Sequence, residues 1–530
     1  MTPTMASWGT YVRRVSLTVI VAVGAWLLWP RAGGEFVTGM PEHRDNGADA
    51  RFVIKFVPGQ QHMPGTTPFG LGEPLKGMAE VVRDFEARFP DTRVELITVP
   101  GVREYLVTQL SSGNAPDILM VNVEDVWVDV QKGWYVPLDP YLEAPNPFVR
   151  EQGDPSLPGY EQWWDMFKYQ AISRGKAAPD NRNYCISFDM VETGIFYNKD
   201  IFREVGIEPP ATWDDWLESM AKLKAAGYIP LLMNRDSFND WTVDLVFDQL
   251  YHDILPGIDL VQDPVREAYL EGYLDGDELC FLFEQGFFTE KDPRYGELWK
   301  HLHDLRQYCN QNLMGTDLAR EFVTQKAAML WMSTQFTYRL TGDRQLAFDW
   351  GVFYVPRFTA RTSRFASNTD MCVIGGAGTQ YEVSNSACSD TGDPATSERL
   401  KRVIALLQFL MVPENYVRVV NEYPSMLPNV AGVPVLPAIQ PFADILERRY
   451  TTTKWVYTFD LKFNDIQARM LELYLNDGIG HEEFMRWQVD NVHAATRNLR
   501  LRKPIDMVRL ETRWAELAPL RAGREGLPHE

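Results

Sequence analysis

Short apolar runs and amphipathic stretches alternate along this chain, joined by links of a few residues, and that order leaves few folds open to it. Residues 52–57 (FVIKFV) form an apolar run broken by one lysine, the mark of a buried strand. Met78, Val81, Val82, Phe85 and Phe89 then recur at helical spacing, and Pro90-Asp91 stops them. Residues 94–99 (VELITV) return as a strand. Tyr105, Leu106, Gln109 and Leu110 outline a second helix, closed by Gly113-Asn114-Ala115-Pro116, and residues 117–121 (DILMV) are a third short strand. Parallel strands need a crossover and a helix supplies it, so this order predicts a parallel sheet with helices on both faces.

The pattern recurs beyond residue 190. Residues 194–197 (GIFY) read as a strand, 199–205 as a short helix ended by Gly206, and Pro209-Pro210 as a break. Thr212, followed three residues on by Asp215, makes a capping box. The helix it opens carries Trp213, Trp216, Leu217, Met220 and Leu223, and Gly227 ends it. Residues 228–233 (YIPLLM) are the next strand, so a second α/β unit is expected. Long helices over 400–411 and 465–476 close the chain. Three stretches rich in proline, glycine or charge break the alternation and read as insertions: 145–182, 253–292 and 380–398. At 530 residues, two lobes with insertions fit the length.

Charge narrows the partners. The 52 Lys and Arg stand against 72 Asp and Glu, a net charge of −20 with neutral histidines. A surface that tracks phosphates needs dense Lys and Arg, and no block of five basic residues occurs, so nucleic acid is set aside as a partner. The 16 Trp, 22 Tyr and 28 Phe permit a stacking site without requiring one. Cys185, Cys280, Cys309, Cys372 and Cys388 are odd in number and contain no C-x-x-C, so neither a zinc ribbon nor a thioredoxin-type site is indicated. In an oxidising compartment Cys372 and Cys388 are the nearest pair to bridge; buried free thiols are the expected state for most.

Near the start, Arg13 and Arg14 precede an uncharged, mostly apolar run over 15–29 (VSLTVIVAVGAWLLW). Its length is that of a signal-peptide core and falls short of the roughly 20 residues that comfortably span a bilayer. The basic pair on its N-terminal side fits export. Arg31-Ala32-Gly33-Gly34 is a poor cleavage site, and no cysteine follows the run for lipid attachment. Residues 1–34 therefore read as a signal peptide or an uncleaved membrane anchor, and the polar residues 35–50 as a linker to an exported body.

Several motifs then fall into one register. Phe85-Glu86-Ala87-Arg88-Phe89-Pro90 comes first, with Tyr105 to Gln109-Leu110 and Ser112-Gly113-Asn114-Ala115-Pro116-Asp117 after it. Gly133-Trp134 with Pro137-Leu138-Asp139, Phe196-Tyr197-Asn198-Lys199-Asp200, and Pro210-Ala211-Thr212-Trp213-Asp214-Asp215-Trp216 follow. Lys326-Ala327-Ala328-Met329, Trp350-Gly351-Val352 with Pro356, and Leu427-Pro428 complete the series. Over residues 50–500 the chain resembles the family 1 extracellular solute-binding proteins of ABC importers.

That resemblance implies an α/β, two-lobed periplasmic-binding-protein fold with a hinge and a central ligand cleft. Carried onto this sequence, it gives a first lobe of 51–189 and 357–412, a second of 190–356 and 413–500, and a C-terminal extension of 501–530. It implies a sugar or sugar-like ligand, ABC permease transmembrane subunits as partners, no cofactor, and a monomer in the periplasm or at the cell surface. The N-terminal segment would then contact the membrane.

A sugar site needs rings for apolar sugar faces, and carboxylates or amides for hydroxyls, placed at strand C-terminal ends. Asn122, Glu124, Asp125 and Trp127 follow the DILMV strand, where the family's ligand-contacting loop falls; capping of the next helix is the plain alternative. Gln60 and Gln61 follow the first strand. Asp189 and Glu192 sit where the family's chain crosses between lobes, a place that also suits a hinge salt bridge. Asn234 and Trp241 follow the YIPLLM strand. After Lys326-Ala327-Ala328-Met329 the family places a small-residue turn and a stacking aromatic. Here the turn is Ser333-Thr334-Gln335-Phe336, which leaves Phe336 or Trp331 as the ring, with Trp331 reading as core. Ser333, Gln335, Asn368, Asp370 and Trp455 complete the candidates.

Catalytic signatures are missing. There is no G-x-S-x-G, H-E-x-x-H or G-x-x-x-x-G-K-[ST], and His301-Leu302-His303 has no evident partner ligands. An exported carbohydrate-processing enzyme such as a glycoside hydrolase, or a binding protein feeding a membrane sensor, are the alternatives to an importer component.

Overall fold

The computed structural model describes residues 50–528, apart from 71, 100–102, 122–125, 127–128, 170–177, 179, 181, 262–273, 275, 314–316, 344–345, 374–375, 451–460 and 503. The N-terminal segment and the linker up to residue 49 lie outside the described residues. Strands β1 (Phe52–Phe56), β2 (Thr92–Leu96) and β3 (Ile118–Leu119) alternate with helices Gly77–Arg88 and Arg103–Ser111 and pair in parallel, as the periodicity requires. The chain then passes through β4 (Cys185–Ser187), β5 (Asp189–Val191) and β6 (Thr193–Asn198) almost without a break. β7 (Ile229–Leu232), β8 (Ala327–Ser333) and β9 (Trp350–Phe353) follow. The short strands β10 (Met371–Cys372), β11 (Gly376–Ala377), β12 (Gln380–Val383), β13 (Leu427–Pro428) and β14 (Arg449–Tyr450) complete the set.

These strands make two main sheets, ordered β2-β1-β3-β12-β4 and β7-β8-β6-β9, a small antiparallel sheet β11-β5-β13 where the chain crosses from one to the other, and a parallel pair β10-β14. Each main sheet has its own core. The first gathers Ile54, Phe56, Val81, Phe85, Ile186 and Tyr381 with residues from 400–433; the second gathers Ile195, Phe196, Trp213, Trp216, Met329 and Trp331 with residues from 427–499. Residues 413–420 pack in the first core, and Phe358, Phe365 and Met371 in the second.

Local chemistry sets these elements. Helix Gly77–Arg88 buries Gly77, Met78, Val81, Val82 and Phe85, one stripe at helical spacing. It crosses helix Pro413–Val420 so closely that a Cβ on Gly77 would collide with the Arg418 carbonyl oxygen. Gly77→Ala is therefore expected to destabilise by about 1–3 kcal/mol through overpacking, more than the roughly 1 kcal/mol alanine gains in helix propensity. A lower urea midpoint at unchanged slope would show it; an unchanged midpoint would mean that the two helices separate freely. Thr212 caps helix Trp213–Ala225, its oxygen accepting from the Asp215 N–H while its hydroxyl donates to Asp215 Oδ2 at 2.6 Å. Gly206 takes a left-handed φ of 72° to end helix Lys199–Val205.

Three sequence readings need correction. Residues 380–398 are no insertion: β12 lies fully buried between β3 and β4. Its polar residues hid it. Gln380 Nε2 donates to the Val121 carbonyl at 2.5 Å, and Glu382 Oε2 accepts from the Val121 N–H at 3.0 Å, so both cap the backbone where the short β3 runs out. Stretches 145–182 and 253–292 also contribute core, Trp163 and Phe167 to the first and Leu279, Cys280 and Leu282 to the second. None of the five cysteines, all among the described residues, is in a disulfide, and Cys372 and Cys388 sit in different cores, so that pair does not bridge.

The tail after residue 500 packs on the second core's side. Helices Met507–Glu516 and Ala518–Arg521 bring Leu510 and Leu517 against Leu260 and Phe281. The Arg521 guanidinium lies 3.3 Å from the centre of the Trp514 ring and donates to the Gly257 carbonyl at 2.7 Å.

Candidate ligand-binding site

Strand register decides where a ligand can be met. β12 runs antiparallel to β3, with Glu382 opposite Leu119, and pairs with β4 through Gln380 opposite Ser187, so the C-terminal end of β3 points at the start of β5. β6 runs antiparallel to β8 with Thr193 opposite Ser333, so the C-terminal ends of β8 and its parallel neighbour β7 point at the other end of β5. Both sheets thus turn their carboxyl edges toward one crossing strand, the arrangement that places ligands in a crevice.

On the first side the loop after β1 is built around Gly59, whose φ of 81° suits glycine and whose missing Cβ leaves room for Met120 Sδ, 2.5 Å from where it would sit. Gln60 is exposed and Gln61 half-buried. The loop is pinned from beneath: Tyr381 donates to the Pro58 carbonyl at 3.0 Å, and buried His62 Nε2 meets Asp189 Oδ2 at 2.6 Å. Asp189 Oδ1 also accepts from the Thr379 N–H at 2.7 Å. Asp189 is completely buried, with a carboxylate committed to joining loop, crossing strand and returning strand. Asn122, Glu124, Asp125 and Trp127 lie outside the described residues, as does Trp455.

On the second side Asn234 caps the turn after β7, its oxygen accepting from the Ser237 N–H at 2.7 Å. Trp241 is half-exposed and leans on Trp331, ring centres 6.1 Å apart, while Trp331 itself is wholly buried. Ser333 and Gln335 are half-exposed at the end of β8. Phe336 packs inward against Phe196 and Phe322. Asn368 and Asp370 are exposed on the segment before β10, Asp370 paired with Arg357 at 3.2 Å.

The floor between the two sides carries unusual electrostatics. Glu192 is completely buried. Its Oε1 accepts from the Thr193 N–H at 2.7 Å, while Oε2 is buried and meets no partner among the described residues. Burial pushes the carboxyl up to about 8, against the pull of the Thr193 hydrogen bonds and the Arg448 charge. Arg448 Nη1 and Thr334 Oγ1 are likewise buried and meet no partner among the described residues, and the Thr334 N–H donates to the Glu192 carbonyl at 2.8 Å. Orphaned polar atoms of this kind cost about 1–3 kcal/mol each, and a ligand bearing hydroxyls would relieve that. Among the described residues no three His, Cys, Asp or Glu side chains gather into a metal site.

The profile of the bacterial extracellular solute-binding protein family matches residues 71–379, more than half of the chain. The chain belongs to that family. The binding proteins it is similar to include the multiple sugar-binding protein of Streptococcus mutans, 24% identical over 156 residues that make up 29% of this chain and 32% of that one. The sn-glycerol-3-phosphate-binding periplasmic protein of Escherichia coli K12 is 28% identical over 163 residues, 29% of this chain and 34% of that one. The chain thus matches about a third of the length of these curated relatives. Solved structures agree over far more. The sugar-binding protein MalE from Xanthomonas citri superposes with a TM-score of 0.57 at 16% identity, covering 85% of this chain and 98% of that one. RafE from Streptococcus pneumoniae does so at 0.55 and 16%, covering 86% and 99%. At these identities the likeness carries the fold, the two-lobed α/β arrangement of solute-binding proteins.

Sequence reasoning missed Arg448, Thr334 and a pair of rings, Tyr338 and Tyr423, whose centres lie 5.0 Å apart. No local signal pairs these residues: Thr334 and Arg448 meet at Glu192, and Tyr338 meets Tyr423, across long sequence separations that only the tertiary fold closes.

Proposed function

We propose that this solute-binding protein is the extracytoplasmic component of an ABC importer and captures a carbohydrate or carbohydrate-like solute by hinge closure. The observation that carries the reading is the crossing itself: the carboxyl edges of both sheets turn toward β5, beside Glu192 Oε2, Thr334 Oγ1 and Arg448 Nη1, which meet no partner among the described residues. The S. mutans relative is a sugar-binding protein, and RafE has been solved with raffinose, which supports the same ligand class here. Gln60, Gln61, Ser333 and Gln335 would supply polar contacts with the 122–127 loop, Trp241 the apolar face, and Glu192 the buried partner. The lobes would follow the two cores, the first taking 51–189 with the returning 376–433 and the second taking most of the rest. Closure would desolvate the ligand's hydroxyls against these groups and present the closed body to permease subunits. Residues 1–34 would direct export and, if uncleaved, hold the protein at the membrane.

A thermal-shift screen against mono-, di- and oligosaccharides, polyols and glycerophosphodiesters tests this. A ligand at 100 times its dissociation constant adds roughly 2.7 kcal/mol to stability and raises the melting temperature. The compound is expected back unchanged after incubation. Recovery as cleaved product would make the protein an enzyme, and a flat screen across all classes would remove the carbohydrate assignment.

A further inference from the structure

One turn of the second lobe reaches across to the first at two points. Helix Phe336–Gly342 follows β8 and is rooted in the second core by Phe336 and Leu340. Gln335 and Tyr338, three residues apart and so on one face, both point the other way. The Tyr338 ring meets Tyr423 edge-on at 5.0 Å, and Gln335 Nε2 approaches Met426 Sδ at 3.9 Å. Tyr423 and Met426 follow helix Pro413–Val420, which packs in the first core. The Tyr338 hydroxyl also fills the space where a Cβ on Gly72 would stand, 2.5 Å away.

Gly72 belongs to a first-lobe loop that is itself well fastened. Gly65 N–H donates to the Leu75 carbonyl and Leu75 N–H to the Thr66 carbonyl, both at 2.8 Å. The Lys76 N–H donates to the Glu422 carboxylate at 2.7 Å, and the Tyr423 hydroxyl to the Gln61 carbonyl at 3.2 Å. Tyr338 therefore docks into a notch whose walls are held by the first lobe alone.

We infer that Tyr338 is an interlobe latch: seated between Tyr423 and Gly72, it holds the two lobes together without any ligand and so sets how readily the crevice opens. Its ring partner Tyr423 is tied to the Gln61 carbonyl in the loop after β1, which suits a residue that governs access. The latch acts with no solute bound, so it stands or falls apart from the solute's identity.

Hydrogen exchange of the full chain, without ligand, tests it from both sides. Tyr338→Ala is expected to speed exchange severalfold in peptides covering 61–76 and 421–428, in the opposite lobe, while the sheet strands 195–198 and 327–333 keep their protection. Tyr338→Phe keeps the ring against Tyr423 and should stay close to the parent. Gly72→Ala pushes a methyl group into the Tyr338 hydroxyl and is read on the other side, as faster exchange in 335–342. Changes confined to the lobe that carries the substitution would overturn the latch. So would a Tyr338→Phe protein that behaves like Tyr338→Ala. If Tyr338→Ala fails to fold, Gly72→Ala read in 335–342 decides alone.

Discussion

Replacing Arg294 by alanine is expected to lower stability by about 3–5 kcal/mol and to free the C-terminal tail. This guanidinium is 1% exposed and is shared among four partners. Its Nε donates to the Leu250 carbonyl at 2.9 Å, its Nη1 to the Glu525 and Gly526 carbonyls at 2.7 and 3.0 Å, and its Nη2 faces Asp253 at 3.2 Å. The group also lies 4.2 Å from the centre of the Phe365 ring. Asp253 is about a third exposed, so its loss of a partner is softened by water and contributes least. The Leu250 carbonyl contributes most, because it is buried and loses its donor away from water, while the Glu525 and Gly526 carbonyls nearer the surface lose the contacts that fasten the tail. Close by, burial already pushes Asp292 up to about 6, and Arg294 is one of the groups holding it down. Removing the cation makes that carboxylate harder to keep ionised.

Two readouts separate the loss of these bonds from a general loss of packing. The tail carries Arg509, Arg513, Arg521 and Arg524, all trypsin sites, so Arg294→Ala should release fragments from 501–530 under limited proteolysis before the body is cut. Arg294→Lys keeps the charge but cannot span carbonyls and carboxylate with one planar fork, so it should release the tail as well. A tail that stays protected in both variants would show that Leu510, Leu517 and Arg521 hold it without Arg294.

How much of this was legible in the sequence depends on the range of the interactions. β1, β2 and the helices that follow them were readable because their apolar spacing is local, and the Thr212 cap because both partners lie within one turn. β12 was misread because its burial rests on Gln380 and Glu382 serving the backbone of a strand more than 250 residues earlier. The same limit applies at the candidate site. Position at strand ends selected Gln60, Ser333 and Gln335, but no pattern told that Phe336 turns inward while Tyr338, two residues on, faces the other lobe. Asn234 took the capping role that Asn at the head of a helix ordinarily takes.

Glu192→Gln is expected to stabilise the protein at neutral pH and to flatten its stability profile. The carboxyl stands at about 8 in the folded chain against 4.5 for an unhindered glutamate, and burial is the main cause. A group raised on folding contributes fully below its unfolded value and loses that contribution as pH rises through its folded value, so the parent should lose stability from about pH 4.5 to about pH 8. At pH 7 the loss is on the order of 3 kcal/mol. Glutamine has nearly the same shape, keeps an acceptor for the Thr193 N–H, and has no proton to lose, so it should match the parent near pH 4 and exceed it above. The groups facing Glu192 set the size of the effect. Arg448 favours the charged form, while Tyr354, Cys372 and Tyr169 gain proton affinity from their own burial and from its charge. Urea midpoints of parent and variant from pH 4 to 9 measure the difference directly. Parallel profiles would mean that Glu192 is ionised in the folded protein, with Arg448 as its effective counter-charge. A ligand hydroxyl at the crossing strand would then meet a carboxylate instead of a carboxylic acid.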